Sequence, residues 1–124
     1  MTVIPAEIVL FLRRALYARF ARTAGDIDSE CSLASPSDMT GPLAEFDRTR
    51  ALLNAIGWNK KPPQQDDVAL DLAVHGPTLI DALEYDRDMS DWLSHQEATE
   101  SPEGRKRAAA NAATIECFLS DLDT

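Results

Sequence analysis

Residues 5–31, PAEIVLFLRRALYARFARTAGDIDSEC, decide how the rest of the chain is read. Plotted at 100° per residue, Val9, Leu12, Leu16, Phe20, Ala24, Ile27 and Cys31 form one apolar stripe along a helix. Ile4, Ile8, Phe11, Ala15 and Ala18 form a second stripe on the opposite side. Pro5 stands at a first-turn position, where its missing donor costs nothing, and Thr2 is a candidate cap upstream. A helix that is apolar on two faces has to cover both. Either its first half lies between neighbours of the same chain, or one face meets another chain. In the second case Ile8 and Phe11 are the candidate contacts with a protein partner or a second copy.

Outward from this helix the same punctuation recurs. The stretch 32–41 (SLASPSDMTG) reads as a loop, and a second helix is expected over 42–56, with Leu43, Phe46, Thr49, Leu53 and Ile56 at helical spacing. Gly57 stands where a left-handed residue ends a helix, and Trp58 is expected to pack back over that end. The segment 59–65 (NKKPPQQ) cannot be helical through its two prolines. Val68, Leu70, Leu72 and Val74 alternate with Ala69, Asp71 and Ala73, which could mark one short strand. A lone strand has no partner in such a chain except a copy of itself, so 68–74 is read as extended chain or a first helical turn. Pro77 fits the start of a third helix running to 97 better than a helix interior, where it costs about 3 kcal/mol. Ser101 and Pro102 open a fourth helix over 102–122 as cap and first residue, with Ala108, Ala112, Ile115, Phe118, Leu119 and Leu122 as its stripe. The expected fold is therefore all-α: a single domain of four helices packed as a bundle.

The third helix changes face partway. Leu79, Ile80 and Leu83 share one side, whereas Ala82, Tyr85, Met89, Trp92 and Leu93 lie a quarter turn or more away; Asp86 and Ser90 continue the first side. Either the helix changes neighbours there or it breaks. If it is continuous, Asp81, Glu84, Asp88, Asp91 and His95 share one arc and form an acidic ridge. Three roles suit such a ridge: a solvated face, a docking surface for a basic partner, or pairing with the arginines of the first helix. Residues 86–97 (DRDMSDWLSHQE) also resemble the calcium loop of the EF-hand family, with Asp86, Asp88 and Ser90 at positions one, three and five and Ser94 and Glu97 at nine and twelve. Position six departs from the family, holding Asp91 where glycine allows the sharp turn. The resemblance implies a calcium-responsive protein as the alternative function.

Composition narrows the classes. The formal charge of −9 argues against general binding to nucleic acid or to anionic membrane. The charge is uneven, with four arginines against Glu7 in residues 1–25 and the acidic excess beyond. The apolar run 8–12 is too short to span a bilayer. Cys31 and Cys117 show no paired spacing with each other or with His75 and His95, and the five isolated glycines make no phosphate loop. Nine Arg against three Lys, with eighteen Ala, looks like GC-rich bacterial coding. The expectation is a cytoplasmic, non-enzymatic interaction module without a cofactor.

Overall fold

The computed structural model of the chain describes residues 1–30, 40–57 and 66–122. Four helices dominate the described residues: α1 (Ala6–Glu30), α2 (Thr40–Ala55), α3 (Leu72–Ser94) and α4 (Pro102–Leu122). The all-α, bundle-like expectation is met, with one addition, a small antiparallel sheet of β1 (Thr2–Ile4) and β2 (Val68–Leu70). Of the expected loop 32–41, residues 32–39 lie outside the described residues, as do the linker 59–65 and Trp58, while Thr40 and Gly41 belong to α2.

The sheet is a correction to the reading of the second half. The alternating segment at 68–70 does find a partner, at the other end of the chain, in the register Thr2↔Leu70, Val3↔Ala69 and Ile4↔Val68. Period-two geometry turns Ile4 and Leu70 inward, where both are buried, and leaves Val3 exposed. Three residues before a helical run carry almost no pattern, so β1 was visible only as a candidate cap. Asp67, just before β2, accepts the Ala6 N–H at 2.8 Å and thereby satisfies one of the donors at the start of α1.

The start of α3 is the second correction. It begins at Leu72, and Pro77 lies inside it. Asp71 is the cap: its carboxylate accepts from Ala73 N–H at 3.0 Å, and its carbonyl accepts from Val74 and His75. Pro77 removes one bond, the one to the carbonyl of Ala73, and Ala73 is exposed, so water can serve that oxygen. The residue before it is Gly76, which has no Cβ to clash with the proline ring. A good cap plus the burial of Thr78 and Leu79 one turn later outweighs a single lost bond.

Other boundaries follow local chemistry. Helix α2 starts at Thr40 rather than Pro42, which leaves Pro42 in the first turn, where no donor is needed. Gly57 takes φ 73°, and its N–H donates to Asn54 O, closing α2 as expected. At α4 the Ser101 hydroxyl accepts from Gly104 N–H at 3.0 Å, the N-terminal cap the sequence announces.

Both stripes at the front of α1 are covered within the chain. Val9, Leu12 and Leu16 on one side and Ile8, Phe11 and Ala15 on the other are all buried in a core shared with Leu52, Leu53 and Ile56 of α2, Leu79, Ala82 and Leu83 of α3, and Ile115 and Leu119 of α4. Helix α3 is the hub: it packs most extensively on α4 and also on α1 and α2. Phe20 and Phe46 join α1 to α2 with ring centroids 4.6 Å apart. Because Ile4 is fully buried under the strand pair, Ile4→Ala should destabilise the fold by about 2–4 kcal/mol. Thermal unfolding followed by circular dichroism should show this as a fall in Tm of roughly 10 °C, while Val3→Ala, on the exposed side, leaves Tm within about 2 °C.

Candidate functional site

Helix α3 runs unbroken through residues 86–94, so the segment that resembles a calcium loop is helix. In a helix, Asp86, Asp88 and Ser90 point in directions 200° apart at each step and cannot converge on one ion. Asp86 is also already committed. Its carboxylate accepts from Arg14 at 3.0 Å (Nε) and 2.6 Å (Nη2), a fork-to-fork pair between α3 and α1. The Asp86 side chain is 8% exposed and that of Arg14 53%, so the pair reaches from the core edge to solvent. The Arg14 guanidinium also lies 5.4 Å from the centre of the Phe11 ring. Among the described residues, no group of three or more His, Cys, Asp and Glu is placed to hold a metal ion.

This pair explains why the stripe on α3 shifts. Asp86 and Ser90 continue the face of Leu79 and Leu83 and are buried as those residues are. The helix does not break; its buried face changes from apolar to polar where it meets Arg14. The predicted second stripe then divides. Ala82 is buried, whereas Tyr85, Met89 and Trp92 are 42%, 40% and 55% exposed, a row at i, i+4 and i+7 that the described residues leave open. The row borders a groove of about 370 Å³ between α1, α3 and α4, walled by Ala18, Leu93, Gly104 and Arg107.

The acidic ridge lies along the other flank of this row. Asp81, Glu84, Asp88, Asp91 and His95 are all exposed on α3. Some pairing occurs within it. Asp88 accepts from Arg87 at 3.2 Å, His95 and Asp91 approach to 3.8 Å, and Asp81 lies 4.0 Å from Arg19 of α1. Arg87 also donates to Glu116 of α4 at 2.7 Å, and this bond, with Asp88 behind it, holds the guanidinium above its ordinary pKa. Ile8 and Phe11, the other two candidate partner contacts, are buried in the core of the same chain. No surface remains there for a second copy to cover.

A second concavity, of about 440 Å³, lies between α1, α2 and α3. Arg19, Glu45, Arg48, Thr49, Thr78 and Asp81 line it. Sequence reading missed it entirely except for Asp81, because its residues come from three helices and no local spacing joins them. Arg19 reaches Glu45 at 3.7 Å and Asp81 at 4.0 Å, and Arg22 reaches Glu45 at 3.5 Å. The Thr49 hydroxyl is fully buried without a hydrogen-bond partner, a state that costs about 1–3 kcal/mol.

The Arg14–Asp86 pair gives a direct test of the polar end of the core. Arg14→Met strands a buried carboxylate and should lower stability by about 2–3 kcal/mol, less than a fully buried pair would because Arg14 is half exposed. The double variant Arg14→Met/Asp86→Leu should recover most of that loss. Urea unfolding of the two single variants and the double variant measures the coupling.

No helix of the described residues is long and apolar enough to cross a membrane. Comparison with known protein families, curated proteins and solved structures finds no match to this chain, so its surfaces carry the functional reading.

Proposed function

We propose that the chain is a small, non-enzymatic helical module that binds another protein through the outer surface of α3. The observation that carries this reading is the exposed row of Tyr85, Met89 and Trp92. Aromatic residues and methionine are the types enriched where proteins meet, and three of them one helical turn apart offer anchors for a partner helix. The acidic ridge beside the row sets the partner's chemistry: an amphipathic helix with apolar residues over Met89 and Trp92 and Lys or Arg over Glu84, Asp88 and Asp91. Self-association through this face is disfavoured, since an isologous dimer would bring two acidic ridges of a chain of charge −9 together.

The immobilised chain should retrieve from its host's lysate a protein presenting such a basic, apolar-faced helix, and the folded double variant Met89→Ala/Trp92→Ala should not. With the retrieved partner, Trp92→Ala should raise the dissociation rate tenfold or more, about 1.4 kcal/mol, and Asp88→Asn/Asp91→Asn should slow association at low salt. A partner that binds the double variant undiminished, or a chain that light scattering shows to bind only itself, would overturn the reading.

A further inference from the structure

The cleft between α1, α2 and α3 lies toward the amino-terminal end of α3, at Thr78 and Asp81, and four features meet there. Arg48 lines it from α2 and makes no ion pair with any described residue. Arg19, whose side chain is largely buried, enters from α1, and its contacts with Glu45 and Asp81 are 3.7 and 4.0 Å. Thr49 brings a fully buried hydroxyl with no partner, and Thr78, also buried, brings a second hydroxyl. The charged lining is balanced, two guanidinium groups against two carboxylates, in a chain of charge −9.

We infer that this cleft binds a small oxyanion, a phosphate or carboxylate group, held by Arg48 and Arg19 with hydroxyl donors from the two threonines. A planar guanidinium matches two oxygens of either group at once, and a threonine hydroxyl can turn its hydrogen toward a third. The volume of about 440 Å³ is enough for a small metabolite carrying such a group and lies within the range of ordinary ligand sites. The carboxylates of Glu45 and Asp81 hold Arg19 in place when the site is empty and are displaced toward solvent when the anion enters; both are on the rim, with Asp81 mostly exposed.

The test is an NMR titration of arginine Nε–H and threonine methyl resonances with sodium phosphate and, in a separate arm, sodium succinate, each against sodium chloride at matched ionic strength. Saturable shifts at Arg19, Arg48, Thr49 and Thr78, with Arg107 unmoved, are expected from at least one of the two anions, and the arm that saturates identifies the oxyanion. Arg48→Gln should weaken that binding tenfold or more, and Glu45→Gln, which removes the competing carboxylate, should tighten it severalfold. Shifts that fail to saturate in both arms, that match those from chloride, or that persist unchanged in Arg48→Gln would overturn the inference. Glu45→Gln guards against the case in which Arg48→Gln simply perturbs α2, since a gain in affinity cannot come from misfolding.

Discussion

The burial of α3 between α1 and α4 is the constraint on which the rest of the structure depends. Leu79, Ala82 and Leu83 have to leave water, and they do so in a core shared with Leu12 and Leu16 of α1 and Ile115 and Leu119 of α4. Helix α4 rests mainly on α3, so the two-sided contact has to be made by α3. Once α3 is committed in this way, its fourth side is left over. That side is where the acidic residues and the uncovered aromatic row appear, and both follow from a helix used as the hub of a small bundle.

Helix ends written in local chemistry were legible. Ser101 and Pro102 announce α4 because a hydroxyl acceptor and a residue without an N–H each solve the problem of unpaired donors at a helix start. Gly57 announces the end of α2 because positive φ suits it best. The sheet was not legible, since pairing between Thr2 and Leu70 joins positions 68 apart and no spacing rule reaches that far. Pro77 misled for a related reason. Its cost within a helix is fixed and local, whereas the gain from capping by Asp71 and burying Leu79 depends on neighbours that a linear reading does not see.

The candidate sites divide along the same line. The ridge from Asp81 to His95 could be placed because five polar residues on one helix share an arc by periodicity alone. The apolar faces were legible at the front of α1, from Ile8 to Leu16, although Ile4 belongs to β1 and Ala18 is exposed; periodicity cannot say whether the second cover comes from the same chain. In the structure it does, which removes Ile8 and Phe11 from the surface. The Arg14–Asp86 pair and the cleft around Arg19 and Arg48 each join residues from separate helices, and only the folded arrangement gives them a common purpose.

The strand pair has a consequence for how the molecule opens. Closing so long a segment of chain costs entropy that grows with the logarithm of its length, and three residues of ladder return little of it unless α1 and α3 already hold the two strands in place. The β1–β2 clasp therefore forms late and comes apart first. Its parting sets α1 loose at its amino end, uncovering Ile4 and Leu70, at a free energy well below that needed to unravel the whole bundle.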